Sequence, residues 1–213
     1  MSQVSDRVHA GSDRVDRAES DAAAERLAAI VQGASAGDEA AWSELIELYG
    51  RRVFAMAKSR FGDPDVAEEI AQSVFATIAT KLSSGQYAER GRFEAWLFRV
   101  TMNRIRDEAR RLKRHAHPTD PAELSLQESR PDGPRTVDRG RIEGLRRAMD
   151  ELSDVDREVI ELRHHGAMSF KEMAELLDEP VGTLLARHYR ALRKLRQIME
   201  EAPEAENKPE QAI

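Results

Sequence analysis

Apolar residues recur at steps of three and four between residues 24 and 114, which is the spacing of helices that bury one face. A first helix is expected to end near Gly33. Asp38, a residue type favoured at helix N-caps, opens the second helix, and Gly62 ends it. Pro64 suits the first position of a third helix, because proline lacks an amide hydrogen that would be unpaired there anyway.

The third helix and a long fourth helix carry the clearest apolar stripes. In the third helix the stripe consists of Val66, Ile70, Val74, Ile78 and Leu82. In the fourth helix, from about Arg92 to Arg114, it consists of Phe98, Met102, Ile105, Ala109 and Leu112. Both stripes are expected to face one core.

Residues 115–138 contain four prolines and few apolar residues, which is typical of a linker. The chain is therefore expected to form two domains, residues 24–114 and 139–199. Residues 1–23 are polar and are predicted to be a disordered arm, and residues 200–213 are predicted to be an acidic tail.

Capping signals organise the second domain. A helix from Arg141 to Glu151, with Ile142, Leu145 and Met149 inward, comes first. Ser153 opens the next helix, and Ser169 with Glu172 forms a capping-box pattern before another. A corner at Asp178–Pro180 leads into a last helix from about Val181 to Met199. Two helices around a tight corner predict a helix-turn-helix, in which the second helix enters the DNA major groove.

No segment shows a convincing strand pattern, so the predicted fold class is all-α: two small helical domains joined by a flexible linker, the second a helix-turn-helix. The 213 residues contain no cysteine, which excludes disulfides and thiolate metal sites. No run approaches the roughly 18 apolar residues of a membrane span, and the N-terminus lacks the apolar segment of a secretory signal.

The formal net charge of −6 argues against a nucleic-acid partner until its distribution is considered. Between Arg99 and Arg114 there are seven basic and two acidic residues. One face of this helix carries Arg99, Asn103, Arg106, Arg110 and Lys113. A solvated amphipathic helix is the simpler interpretation of this pattern. A cluster of mostly positive charges in an acidic protein nevertheless favours a partner that carries phosphate.

The last helix is also basic. One face carries Thr183, Arg187, Arg190 and Lys194, joined by Arg193 and Arg196, and the other face is apolar. A basic helix after a capped helix and a corner is a more specific signal than a basic helix alone, and it predicts DNA binding.

The third helix is the acidic counterpart, because Asp65, Glu68, Glu69 and Gln72 share one face of it. Two interpretations remain open at this point. The face either keeps the chain soluble or docks on a basic partner.

Three stretches together resemble the extracytoplasmic-function sigma factors of the sigma-70 family. Residues 65–75, DVAEEIAQSVF, resemble the family's polymerase-docking segment. Residues 93–103, FEAWLFRVTMN, resemble the opening of its promoter-melting helix, and residues 180–191, PVGTLLARHYRA, resemble the start of its −35-reading helix. The sequence departs from the family pattern at Ser73, Leu185 and Ala186.

The resemblance implies a sigma factor that binds core RNA polymerase and directs it to specific promoters for transcription initiation. Residues Asp65, Glu68, Glu69 and Gln72 are then expected on the clamp helices of the β′ subunit. Contacts with the −10 region are expected from Arg99, Asn103, Arg106, Arg110 and Lys113. Contacts with the −35 element are expected from Arg163, Thr183, Arg187, Tyr189, Arg190 and Lys194, with the second domain against the β flap.

The same resemblance implies promoter DNA as a partner, an anti-sigma factor that clamps both domains, and a cytoplasmic location. No nucleophile–base pair stands out and the six histidines lack metal-ligand spacing, so a non-enzyme without cofactor is predicted. The alternative is a helix-turn-helix regulator that acts independently of core polymerase. A helical adaptor that binds only protein is a third interpretation.

Overall fold

The computed structural model describes residues 21–87, 91–115 and 136–201, and these contain helices and no β-strand. The all-α prediction is confirmed. Most of the predicted N-terminal arm, acidic tail and linker lies outside the described residues. The predicted boundaries are wrong at residues 21–23, 115, 136–138 and 200–201, which are helical. The helices are α1 (21–35), α2 (Glu39–Phe61), α3 (Pro64–Ser83), α4 (Phe93–His115), α5 (Thr136–Asp150), α6 (Asp154–His164), α7 (Phe170–Leu177) and α8 (Val181–Glu201).

Local capping sets the helix boundaries of the first domain as the sequence predicts. The Asp38 side chain accepts a 2.9 Å hydrogen bond from the amide of Ala40 and so satisfies a donor at the start of α2. Gly62 ends α2 in the left-handed region, at φ 75°. Asp63 then caps α3, whose first residue is Pro64.

The core of the first domain lies between α2, α3 and α4. Four of the five residues in the α3 stripe are buried, and Val66 is half-buried. Leu97, Phe98 and Ile105 of α4 are buried against them. The prediction for Leu112 is wrong: it is 41% exposed, because it lies near the end of α4, where the stripe has no neighbouring helix to cover it.

The second domain contains the predicted helix-turn-helix. The Ser169 hydroxyl accepts a hydrogen bond from the Glu172 amide, and the Glu172 carboxylate accepts one from the Ser169 amide at 2.6 Å, which completes the capping box. Asp178 turns the chain in the left-handed region at φ 56°, and α8 begins at Val181.

Helix α5 buries only the last turn of its predicted face, where Met149 is buried as predicted. Ile142 and Leu145 are exposed, whereas Ala148 and Met149 are buried with Ala191 and Leu195 of α8. Only the last turn of α5 packs against α8 with buried residues. Leu145 and Ile142, one and two turns earlier, therefore remain exposed to solvent.

The two domains pack against each other, since α4 contacts α7 and α2 contacts α6. One buried apolar cluster includes Phe98 and Met102 of α4 together with Val159 of α6 and Met173 of α7. This packing of the second domain on the first places the turn between α6 and α7 beside α2.

Gly166 in that turn has no room for a side chain. A Cβ there would lie 2.6 Å from the carbonyl oxygen of Leu162. We expect Gly166→Ala to lower the free energy of unfolding by about 2 kcal/mol, because backbone must shift. Gly144→Ala is the matched control: nothing lies within 4 Å of its Cβ position, and alanine in mid-helix should raise stability slightly. Urea unfolding of both variants checks this, and equal shifts would contradict it.

Candidate nucleic-acid interface

The acidic residues of α3 form one exposed surface. The structure places Asp65, Glu68, Glu69 and Gln72 together on the solvent side of the helix. The amide of Gln72 donates to the Glu68 carboxylate at 3.2 Å. Ser73 is not part of this surface, because its hydroxyl accepts a 3.0 Å hydrogen bond from Arg104 of α4.

The basic residues of α4 divide between two faces. Arg104 and Arg111 lie at 3.7 Å and 2.6 Å from the carboxylate of Glu108, which is 2% exposed. Arg104 also donates to Ser73 and so ties α4 to α3, whereas Arg111 pairs within α4 and is exposed.

The opposite face of α4 brings together all five residues predicted to contact the −10 region. Arg99, Asn103, Arg110 and Lys113 are exposed, and Arg106 is half-buried. Arg106 donates a 3.0 Å hydrogen bond to the side-chain oxygen of Asn103. The spacing predicted from helical periodicity is therefore realised in one surface.

A cleft of about 320 Å³ lies between this face of α4 and helix α6. Arg60, at the end of α2, lines it beside Arg106, Arg110 and Lys113. The guanidinium of Arg60 lies 2.6 Å from Asp154, and this hydrogen bond holds the pKa of Asp154 below its usual range. Sequence analysis did not identify Arg60, since it is separated from the rest of the basic cluster by more than thirty positions.

Glu161 lies at the floor of this cleft and is buried. Among the described carboxyl groups that line the cleft, it is the one whose pKa is raised. Its side-chain Oε1 has no hydrogen-bond partner within the described part of the chain. Burial raises its pKa to about 7, partly offset by Arg60 of α2 and Arg157 of α6, while Glu158 and Asp154 raise it further.

Glu161 should therefore make stability fall as pH rises. Between its ordinary pKa of 4.5 and about 7, the folded chain retains a proton that the unfolded chain releases, so folding is progressively disfavoured. The loss is on the order of 3 kcal/mol and is complete above pH 7. Glu161→Gln should flatten this part of the profile. Urea titrations from pH 4.5 to 8 check it, and Glu151→Gln, at an exposed position, is the control for charge loss. An unchanged slope in Glu161→Gln would contradict the assignment.

Helix α8 presents the residues predicted for the −35 element at two different angles. Along one flank, Arg187 pairs with Glu179 at 2.7 Å and Arg190 pairs with Asp156 at 2.9 Å. On the same flank Thr183 is exposed, and the ammonium of Lys194 donates to the carbonyl oxygen of Glu151.

The outermost face of α8 carries Tyr189, which is 70% exposed, together with Arg193 and Arg196. Tyr189 therefore belongs to a different face of α8 from Arg187 and Arg190. Leu185, at one of the two departures from the family pattern, is half-buried, and Ala186 is exposed.

Arg163 lies away from α8's outer face, in the last turn of α6. Its guanidinium donates a 2.8 Å hydrogen bond to the carbonyl oxygen of Met168 and lies 5.4 Å from the ring centroid of Phe170. Nearby, His164 and His188 approach at 3.2 Å between their Nε2 atoms and join α6 to α8. Burial, with help from His164, lowers the pKa of His188. These contacts fix α6 against the start of α7 and against α8.

Within the described ranges there is no group of three or more histidine or carboxylate side chains placed to hold a metal ion. Nor does this part of the chain contain a helix of the length and apolar character that a bilayer crossing requires.

Two family models match the chain. The model described as Sigma-70 region 2 matches residues 45–115, and the one described as Sigma-70, region 4 matches residues 142–195. The matched segments coincide with the two helical domains, and the interval between them covers the proline-rich stretch.

Similar proteins agree with these models. The RNA polymerase sigma factor NccH of Alcaligenes xylosoxydans xylosoxydans is 32% identical over 81% of this chain and 94% of its own length. The ECF RNA polymerase sigma factor SigE of Mycolicibacterium smegmatis is 28% identical over 76% of this chain, which spans 64% of that relative. The solved structure of the sigma factor RpoE with the anti-sigma factor NepR from Bartonella quintana is similar in fold. It covers 75% of this chain and 97% of its own, at a TM-score of 0.54 and 21% identity.

Proposed function

Because the chain belongs to the extracytoplasmic-function group of the sigma-70 family, whose members direct core RNA polymerase to promoters, we propose that each of its two domains supplies one promoter-reading surface. The observation that carries the proposal is the pairing, within the first domain, of an exposed acidic face on α3 and a basic face on α4. A regulator that only reads an operator has no use for this pair.

The acidic face of α3 is proposed to dock on the β′ clamp helices of core polymerase. Asp65, Glu68, Glu69 and Gln72 are exposed together, and none of them is needed to fill the core. Exposed carboxylates attract a complementary basic surface. The second domain is proposed to lie against the β flap.

The basic face of α4 is proposed to hold the −10 region. Arginine and lysine bind the phosphates, while Asn103 and Arg106 present hydrogen-bonding groups at one point of the face. Strand opening costs a few kcal/mol for each unstacked base, so it needs a surface that captures the extruded base.

The helix-turn-helix is proposed to place α8 in the major groove at the −35 element. Tyr189 and Thr183 are unobstructed, whereas Arg187 and Arg190 carry internal ion pairs. These two arginines are therefore proposed to contact phosphate after exchanging carboxylate for it. Arg163, in the last turn of α6, is also proposed to contact phosphate beside the −35 element.

Tethering both domains to polymerase makes each DNA contact intramolecular, so neither domain has to bind DNA tightly alone. The chain is proposed to act without covalent chemistry and to work in the cytoplasm, where polymerase and DNA are. An anti-sigma factor is proposed as a further partner, since the solved relative RpoE binds one.

Reconstituted transcription tests this function. Core polymerase with and without the purified chain is incubated with genomic DNA fragments, and the RNA 5′ ends are sequenced. New start sites that share two upstream elements are expected only when the chain is present. Specific binding of the chain to the same DNA without polymerase, and no new start sites with it, would instead favour the helix-turn-helix regulator.

A further inference from the structure

Two histidines that are far apart in the sequence meet on the surface of the second domain. His164 is the last residue of α6, and His188 lies in the first half of α8. Their Nε2 atoms are 3.2 Å apart, and the two rings lie at 20° to each other with their centroids 5.4 Å apart. Neither residue belongs to the surfaces proposed for contact with polymerase or promoter.

The helices that carry the two rings are fixed beside each other by buried apolar residues. Leu162, two residues before His164, and Leu184, one turn before His188, are 0% exposed and belong to one buried cluster. The ring of Phe170 in α7 also meets the ring of His188 edge-on, with the centroids 5.3 Å apart. Because packing already brings the two nitrogens together, a ligand that uses both has little ordering to do when it binds.

The distance between the two nitrogens suits a shared metal ion. Zinc–imidazole bonds are about 2.0–2.1 Å long, so two imidazoles on one tetrahedral ion place their nitrogens about 3.3 Å apart. The observed separation of 3.2 Å is close to this value. In the metal-free chain one neutral ring can donate to the other across the same distance, and an ion would replace that shared hydrogen.

One side of the pair is open to solvent. His164 is exposed and His188 is half-buried. Within the described ranges no third histidine or carboxylate stands in place beside the two rings as a further ligand. Water therefore has to occupy the remaining positions around an ion, as it does at open zinc sites. An ion held in this way can enter and leave from solvent, so occupancy of the site follows the concentration of free metal.

The ligand type and the neighbouring charge determine which ion fits and how tightly. Imidazole nitrogen suits zinc, nickel and copper, whereas magnesium and calcium prefer oxygen ligands. Arg163 precedes His164 in the chain, and its positive charge opposes a second cation. Its guanidinium is engaged by the carbonyl oxygen of Met168 at 2.8 Å and lies 5.4 Å from the ring centroid of Phe170. We therefore expect moderate affinity for a metal that prefers nitrogen.

We propose that His164 and His188 form a binding site for a late first-row divalent metal ion, of the class of zinc, nickel and copper, which bridges α6 to α8. This site goes beyond the proposed function and does not depend on it. A bound ion joins the helix before the helix-turn-helix to the helix that is proposed to enter DNA, so it holds α8 more firmly on its domain. Sequence spacing does not reveal the site, because the two residues are 24 positions apart.

Nuclear magnetic resonance of the full-length chain, labelled with nitrogen-15, tests the site with Zn²⁺ as the probe. Zinc is expected to shift the Nε2 resonances of both His164 and His188, because both nitrogens become ligands. Mg²⁺ at the same concentration is expected to leave both resonances unchanged. A zinc-induced shift at neither ring, or at only one of the two, would overturn the bridge. Equal shifts with Mg²⁺ would show a general effect of ionic strength and would overturn it as well.

Matched variants separate this pair from the other histidines of the chain. In calorimetric titrations His164→Ala and His188→Ala should each weaken zinc binding by at least about tenfold, since loss of even an outer partner of a ligand costs that much. His115→Ala with His117→Ala is the control, because it removes two histidines outside the pair and should leave zinc affinity unchanged. A loss in the control that equals the loss in His164→Ala would place the ion elsewhere and refute the site.

Urea unfolding supplies a measurement that does not depend on the affinity assay. At a free zinc concentration of about 100 times the dissociation constant, the folding equilibrium constant of the original chain should rise about 100-fold, because the bridged site exists only in the folded form. The exposed position of His164 makes His164→Ala the variant of choice, and circular dichroism checks that it is folded. A rise of the same size in His164→Ala would show that zinc acts at another site and would refute the bridge.

Discussion

Replacing Glu68 and Glu69 of α3 with lysine should reduce the affinity of the chain for core polymerase by on the order of 100-fold, since like charges placed across an interface cost several kcal/mol. Both carboxylates are exposed and lie outside the core, so the fold should be unchanged. Transcription from the chain's own promoters should fall in parallel. Polymerase affinity is measured by fluorescence anisotropy of labelled chain titrated with core enzyme.

The control for this prediction changes the net charge equally at another surface. Glu25 and Glu47 are exposed on α1 and α2, and their replacement by lysine should leave polymerase affinity within about twofold of the original. A comparable loss in both variants would point to long-range charge instead of a docking face on α3. An unchanged affinity in the α3 variant would reject that face.

Removing the side chains of Arg99 and Arg106 should reduce promoter opening by the assembled holoenzyme by on the order of 100-fold, because a hydrogen bond from a charged donor contributes about 1.5–3 kcal/mol. Both residues lie on the −10 face of α4. Polymerase binding should be unaffected, since α3 is untouched. Permanganate reactivity of unpaired thymines reports opening, and anisotropy reports assembly.

Arg51→Ala with Lys58→Ala on α2 is the matched control, as both residues are exposed and carry the same total charge. Opening by the control holoenzyme should stay close to that of the original. If the α4 variant opens promoters as well as the control does, the −10 face lies elsewhere. If the α4 variant fails to bind polymerase, its loss of promoter opening does not report on DNA contact. The prediction that polymerase binding depends on α3 and not on the −10 face of α4 is then wrong.

Much of the fold follows from local signals. The caps at Asp38, Ser153 and Ser169 act over two or three residues, so the sequence predicts where their helices begin. Periodicity likewise predicts which residues of α3 and α4 share a face. It is less successful at Ile142 and Leu145 of α5, because an apolar stripe shows where a helix can be buried and not how far its neighbour extends.

The surfaces proposed for function follow from the same periodicity, and the structure brings the sets on α3 and α4 together. Asp65 to Gln72 share the exposed side of α3, and Arg99 to Lys113 share a face of α4. On α8 the set divides, since Arg187 is paired with Glu179 whereas Tyr189 stands free in solvent. Helical spacing places residues at angles around an axis, but it does not tell which angle the neighbouring helices occupy.

The helices, their caps, the helix-turn-helix and the sign of charge on each helix face follow from local sequence, because they depend on residues within about one turn of each other. Domain packing, in contrast, brings Arg60 to Asp154 and Arg106 to Glu158, and it buries Glu161 in the cleft that these residues line. The two ion pairs join residues 94 and 52 positions apart. Such contacts arise from how whole domains pack, and packing depends on the shape of complete surfaces that no local pattern records.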